Sequence, residues 1–438
     1  MGRLGQRSGK TSWQQRVRAS CACLAAGALL LLSTGHAADP VADLPARLAA
    51  GTTNVSLQVR YENVDQDDLD EEAEAATVRA RLGYTTGRWN GLDAQLEYEN
   101  VTVPGAEHFN STENGRTAYP VVADPRTSEV NQAWIRWSGL PATSITYGRQ
   151  KLVFDNQRFV GNVGWRQNEQ TYDATRITTT WIPRVALDYA YITNVNAFRF
   201  FDFDPGTAVD ARNDLDVRAH YVHAAVDVAP KVLMLAPYAL LIDFDRIPAP
   251  GLARQDTRTL GLRATGAVPL VGAWSLAYAL EYAEQSDFRD APSHTDADYL
   301  LVEPALVYGK LRAALGYERL SGDGTYSLQT PLATLHAFQG WADQFLVTPA
   351  DGIEDRYVLL GGSWGRFGAT AVHHDYLADR GGSDYGSEID LLITWVPRDG
   401  LTIGAKFAEY EADRFPVSGT PAAPYDTTKW WTWIEYRF

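Results

Sequence analysis

From Asn54 to the last residue, apolar and polar side chains alternate. The segments that do so are joined by connectors that are short and long strictly in turn. Val55, Leu57, Val59 and Tyr61 alternate with Ser56, Gln58, Arg60 and Glu62; Leu92, Ala94, Leu96 and Tyr98 with Asp93, Gln95, Glu97 and Glu99; Ile389, Leu391, Ile393 and Trp395 with Glu388, Asp390 and Thr394. Strand side chains point to opposite faces in turn, so each segment has one apolar and one charged face. A soluble sandwich would alternate in the same way. It would have no reason to sort its connectors, which here run from Thr86-Gly87-Arg88 and Tyr308-Gly309-Lys310 on one side to stretches such as Thr102 to Thr127 on the other. Eighteen strands with both termini on the short-turn side are expected. The fold class that fits is all-β, a transmembrane antiparallel barrel of about 18 strands in an outer membrane.

Composition agrees where it bears on this. Arg3, Arg7, Lys10, Arg16 and Arg18 precede an apolar run from Ala19 to Leu32, and Gly35-His36-Ala37 supplies small residues for cleavage. Residues 1–37 read as an export signal, and 38–438 as a single barrel domain. Both cysteines, Cys21 and Cys23, lie in that signal, so the exported chain uses no disulfide. Losing the five basic residues takes the net charge from −15 to −20, which argues against nucleic acid as a partner. Thirteen Trp and 22 Tyr suit the aromatic belts of a membrane barrel. The first strand begins about 17 residues after the cleavage site, too soon for a plug domain. The final segment, WWTWIEYRF, sets Ile434, Tyr436 and Phe438 opposite Glu435 and Arg437. It looks like the terminal strand that the barrel-assembly machinery of bacterial outer membranes reads, with Phe438 as its contact.

Among the long connectors, Gly148 to Thr171, the third of nine, is unusual. Leu152, Phe154, Phe159 and Trp165 are mixed with Arg149, Lys151, Arg158, Arg166, Asp155 and Glu169. That mixture suits a loop folded against a surface, which in a barrel is the interior. GRQKLVFDNQRFVGNVGWRQNEQTYDATRI (Gly148 to Ile177) and TLHAFQGWADQF (Thr334 to Phe345) resemble two hallmark segments of the alginate-export family of outer-membrane proteins, a resemblance that runs from Asn54 to Phe438. It implies a monomeric eighteen-stranded barrel with an arginine-lined pore narrowed by loops. The namesake secretes an anionic uronate polysaccharide, a substrate that does not transfer automatically.

The candidate site follows from the polar faces. Fixed arginines match carboxylates bidentately and are the expected filter of an anion pore. Arg149, Lys151, Arg158 and Arg166 are expected to narrow the pore and face the permeant, held by Asp155 and Glu169. On the walls, Arg60, Arg79, Arg81, Arg136, Arg176, Arg218, Arg263, Arg312, Arg356 and Lys406 share the polar face with Glu62, Asp93, Glu97, Asp188, Asp216, Glu318, Glu388 and Asp390. These charges either select a hydrophilic, anionic solute or pair across strands and solvate the lumen. Outer-membrane lipid and lipopolysaccharide are the other expected partners.

Three further features of the sequence bear on function. The acidic run Asp65 to Glu74 reads as a solvated outer loop, with divalent-cation binding as the alternative. Gly361-Gly362-Ser363-Trp364-Gly365 matches a hydrolase elbow but lies between two alternating segments, where that motif needs a helix. His373 and His374 point to opposite faces and suit no shared metal. The reading is a channel without catalysis or cofactor. A surface-binding adhesin barrel and a barrel hydrolase are the alternatives.

Overall fold

The computed structural model describes residues 44–196, 214–244, 256–289, 291, 295–413 and 425–438. The export signal and most of three long connectors lie outside the described residues. The chain divides into Met1–Arg47 and Leu48–Phe438; a six-residue helix, α1 (Leu44–Ala49), spans the division.

The second unit is a barrel. Its strands among the described residues are β1 (Thr52–Gln66), β2 (Ala73–Thr85), β3 (Leu92–Thr102), β4 (Thr127–Leu140), β5 (Thr143–Gln150), β6 (Thr171–Thr179), β7 (Val185–Asn196), β8 (Asp214–Ala229), β9 (Leu233–Phe244), β10 (Thr257–Pro269), β11 (Trp274–Asp287), β12 (Asp296–Tyr308), β13 (Leu311–Leu320), β14 (Ile353–Trp364), β15 (Phe367–Leu377), β16 (Asp384–Arg398), β17 (Leu401–Glu411) and β18 (Thr427–Arg437). Each pairs antiparallel with the next, and β1 pairs with β18, so the sheet has no edge. The closing seam runs from Gln66↔Thr427 to Ser56↔Arg437. Phe438 extends it: its backbone N–H donates to Val55 O at 3.0 Å and its carbonyl accepts from Val55 N at 2.9 Å. Deleting Trp433–Phe438 removes the partners of Val55–Arg60 on β1 and of Leu401–Gly404 on β17. The shortened chain is expected to lose the heat-sensitive, fast-migrating band of a closed barrel in cold SDS electrophoresis.

The wall is inverted relative to a soluble protein. Leu57, Val59, Leu82, Leu96, Ile135, Leu262, Leu360, Ile393 and Ile434 stand exposed on the outside, as a lipid-facing band requires. Trp274 with Tyr308 (ring centres 4.9 Å apart) and Phe367 with Trp395 (5.9 Å) mark the short-turn rim.

Three long loops bear on the interior: L2 (103–126), L3 (151–170) and L7 (321–352). L3 and L7 are joined by backbone hydrogen bonds, Gly161 N to Leu332 O at 2.8 Å and Thr334 N to Gln157 O at 3.1 Å. Leu152, Phe154, Phe159 and Val160 of L3 join Leu328, Leu332 and Phe345 of L7 in one apolar core with inward wall residues. Phe154 meets Tyr221 at 4.5 Å; Phe159 meets Tyr238 at 5.2 Å and Tyr299 edge-on at 5.5 Å. Burying each such ring is worth about 1.5–3 kcal/mol. Asp155, Gln157 and Val163 hold positive φ of 47°, 67° and 50°, a conformation that persists because packing on every side fixes it. In L7, Gly340 has φ +78° and presses so close to Glu388 and Tyr376 that a Cβ would collide with both, which accounts for the glycine inside TLHAFQGWADQF.

Two boundaries differ from the sequence reading. β5 continues through Gln150, so L3 begins at Lys151. β1 and β2 absorb Asp65 and Glu74, leaving residues 67–72 as the connector of the acidic run.

Candidate functional site

The wall arginines sort by strand parity. Arg60 and Arg79 are buried inside the barrel. Arg81, Arg136, Arg176, Arg263 and Arg312 share the inward face, each beside a carboxylate. Arg136 reaches Asp93 at 3.1 Å through Nε and Arg176 reaches Asp188 at 2.7 Å. Arg263 meets Glu281, Arg312 meets Glu303 at 2.5 Å, and Arg79 meets Glu435 at 2.9 Å. The lumen therefore carries rows of matched pairs.

Four positions differ from expectation. Arg356 shares its side of β14 with exposed Val358 and Leu360 while Asp355 is buried inward; it faces out and pairs with Glu354 at 2.7 Å. In β8, Val217, Ala219 and Tyr221 are the buried inward residues, so Arg218 and Asp216 face out. There the interior is packed with L3, and the inward face of the wall is apolar where it meets Phe154. Arg149 belongs to β5 with exposed Tyr147 on its face, and it reaches Asp173 at 3.1 Å on the outer wall.

Within L3, Arg158 and Arg166 are buried, not pore-facing. Arg158 donates to Gln339 Oε1 at 3.1 Å, lies 3.2 Å from Glu318 and covers the Phe338 ring at 4.5 Å. Arg166 reaches Glu62 at 3.2 and 3.3 Å and Asp343 at 2.9 Å. Asp155 accepts from His223 at 3.0 Å. A guanidinium this deep ties a loop to a wall only because every partner is a fixed carboxylate or amide.

Sequence reasoning missed the centre of this lock. His336 of L7 stacks on Trp165 of L3, ring centres 4.9 Å apart. Its Nδ1 is 2.7 Å from Asp343 and its Nε2 is 2.6 Å from Lys406 Nζ. The Lys406 ammonium donates, so Nε2 accepts and Nδ1–H donates to Asp343. Lys406 also lies 3.7 Å from the centre of Trp341 and 4.2 Å from that of Trp165, a cation–π enclosure. Asp343 continues to Lys429 at 3.1 Å. Both His336 and Asp343 fall inside the second hallmark segment, which is the signal that marked them.

Among the described residues, a cleft lies against the underside of L3. It has a volume of about 600 Å³ and runs from the short-turn ends of β1 and β18 to the underside of L3. Arg79, Arg81, Lys151, Arg437 and Asn162 line it with Glu97, Glu169 and Glu435. Of the four basic residues expected in the loop, Lys151 is the one that reaches this space, 3.6 Å from Glu97. Glu169 sits between Arg81 at 3.3 Å and Lys151 and accepts from Asn131 and Asn162, both at 2.7 Å. Burial works against its charge, yet Arg81 and Lys151 hold its carboxyl below the usual range.

The enzyme-like motifs resolve as wall. Ser363 lies at the end of β14, and Gly365 turns directly into β15, strand to strand. His374 points inward to Asp355 at 2.8 Å while His373 is exposed on the other face. Among the described residues no cluster of His, Cys, Asp and Glu has the geometry to hold a metal ion.

Solved structures share this architecture. OccAB2 of Acinetobacter baumannii is 15% identical with a TM-score of 0.68, over 90% of this chain and 98% of that one. OccK9 (OpdG) of Pseudomonas aeruginosa is 14% identical with a TM-score of 0.67, over 90% and 100%. OpdK of the same organism, solved with vanillate, is 12% identical with a TM-score of 0.66, over 89% and 99%. At these identities the likeness establishes the barrel fold. No curated protein matches the chain. The model of the alginate-export family matches residues 53–287, more than half the chain, taking in the whole of the first hallmark segment and ending before the second. With its closed eighteen-stranded wall and inward-folded third loop, this chain is an outer-membrane β-barrel of the alginate-export family.

Proposed function

We propose that the barrel is a passive channel for hydrophilic solutes bearing a carboxylate, with the cleft beneath L3 as its selective throat. The observation that carries this is the convergence of Arg79, Arg81, Lys151 and Arg437 on one cleft. A solute carboxylate there exchanges with Glu97, Glu169 and Glu435 for the same cations, which keeps binding weak enough for release. Uronate sugars, the units of the polymer for which the family is named, meet this requirement. OpdK, a barrel of the same fold, was solved with vanillate, also a carboxylate.

Salt-gradient reversal potentials in planar bilayers test the reading. A unit charge about 4 Å from a permeant is worth about 1 kcal/mol in water, so Lys151→Gln is expected to lower the anion-to-cation permeability ratio roughly fivefold. Arg149→Gln, on the outer wall, is expected to leave it unchanged. An unaltered ratio in Lys151→Gln, or a wild type that prefers cations and is not blocked by uronates, would remove the throat from this cleft.

A further inference from the structure

The inner face of β18 changes character at the underside of L3. Its inward residues, from the long-loop end toward the short turns, are Trp431, Trp433, Glu435 and Arg437, while Trp430, Thr432 and Ile434 take the outer face. Trp431 is fully buried; Trp433 packs against the same apolar core but stays partly exposed. Trp165 of L3 abuts both rings at nearly right angles, so it covers Trp433 from the long-loop side. What remains free of that indole faces the interior on the short-turn side, where Glu435 and Arg437 line the cleft. The ring is laid flat by its neighbour. Gly404 of β17 pairs with Trp433, and a Cβ on Gly404 would collide with Cε2, Cζ2 and Cη2 of the indole. Three ring atoms that close to one backbone position mean that the ring lies with one face on Gly404 and the other turned inward. Short hydroxyl side chains share this part of the inner wall: Thr402, opposite Glu435, and Thr394, opposite Gly404.

On the reading of this cleft as the throat, we infer that Trp433 is a stacking platform that makes the channel prefer carboxylates carried on a sugar ring to open-chain ones. The C–H face of a pyranose is apolar, and its hydrogens carry slight positive charge, which suits the negative face of an aromatic ring. Trp433 and Glu435 stand two positions apart on one strand face, about 7 Å along the strand, a separation that one pyranose ring with its carboxylate spans. The Glu435 carboxylate marks where the solute's own would sit. It accepts from Ser56 at 3.1 Å, from Arg79 at 2.9 Å and from Arg437 at 2.9 Å. A sugar acid stacked on Trp433 brings its carboxylate to those donors and its hydroxyls to Thr394 and Thr402. An open-chain acid of equal charge takes the same donors and gains nothing from the indole. The arginines therefore read charge, and the tryptophan reads shape.

Block of single-channel current by glucuronate, a pyranose acid, and by gluconate, its open-chain counterpart of equal charge, tests this in planar bilayers with the full chain. The wild type is expected to be half-blocked by glucuronate at a roughly tenfold lower concentration than by gluconate. Trp433→Leu is expected to bring the two concentrations together, and Trp433→Phe to keep most of the difference. A tryptophan that only braces L3 would shift both acids alike and leave their ratio standing. Equal half-blocking concentrations in the wild type, no block by either acid, or an undiminished ratio in Trp433→Leu would overturn the platform. The permeability ratio of Lys151→Gln separates the two readings: if it still falls, the throat stands without its platform, and if it does not, the throat itself is lost. Heat-modifiable mobility verifies closure. Where Trp433→Leu does not close, Gly404→Ala, whose Cβ lifts the indole from the wall, must lower the ratio or the platform fails.

Discussion

Arg166→Leu is expected to release L3 and L7 from the inside of the barrel wall. The Arg166 guanidinium is the shared partner of Glu62 on β1 and Asp343 on L7, and it also lies 3.9 Å from Asp124 of L2. With side-chain exposures of 1% for Arg166 and Glu62 and 5% for Asp343, removing the cation leaves buried carboxylates short of charge. Breaking a buried pair in this way costs about 3–5 kcal/mol. The wall keeps its backbone ladder and its lipid contacts, so the loss falls on the docking of L3 and L7. Single-channel conductance is expected to rise and become noisy, and backbone amides of 151–170 to exchange faster, while the folded band on a gel persists. A quiet channel of unchanged conductance would show that the loop core alone holds L3.

The second large effect is one of pH. Burial, with the Lys406 ammonium alongside, pushes the His336 imidazole from its ordinary 6.5 down to about 3, against the pull of Asp343. Burial also opposes the Asp343 charge, yet His336, Lys429 and Arg166 hold that carboxyl well below its usual range. The two shifts describe one arrangement, a neutral histidine between an ammonium and a carboxylate. An undocked L7 binds the His336 proton more tightly than the docked one. The stability of docking is therefore complete above about pH 6.5 and falls as the pH drops from there toward about 3, by up to about 1.4 kcal/mol per unit. Asp343 stays ionised through that window and does not cancel the effect. Hydrogen exchange in 334–345 is expected to be up to about a few hundredfold faster at pH 4 than at pH 7 after correction for intrinsic rates. His336→Gln is expected to flatten that dependence. Equal protection at both values would sever His336 from the lock.

The sequence carried the wall almost completely, because a lipid-facing strand has to keep its apolar side chains on one parity whatever its neighbours do. Leu57 and Val59, or Ile389 and Leu391, state their face without help. Where the interior is itself packed, parity stops identifying the lumen by polarity. β8 shows this: Val217, Ala219 and Tyr221 are apolar because they face a loop, and Arg218 is polar because it stands above the lipid. The inward folding of L3 was legible in its mixture of rings and charges, but the tasks of those charges were not. Arg166 finds Glu62 across 104 positions and Asp343 across 177, and nothing within L3 distinguishes it from Lys151, which remains in the open cleft.

The seam between β1 and β18 has an unexpected relation to L3. Its two strands are the most distant in sequence, with Ser56 and Glu435 379 positions apart at a contact of 3.1 Å, so closing the cylinder carries the largest loop entropy of any pairing in it. L3 fastens to that same joint: Arg60 of β1 donates to Trp165 O at 2.6 Å, and the Trp165 ring abuts Trp431 and Trp433 of β18 at 5.8 and 5.5 Å. L3 is thus also a rivet across the line where the cylinder closes. Docking of L3 therefore braces, from inside, a closure that the backbone ladder of β1 and β18 already makes.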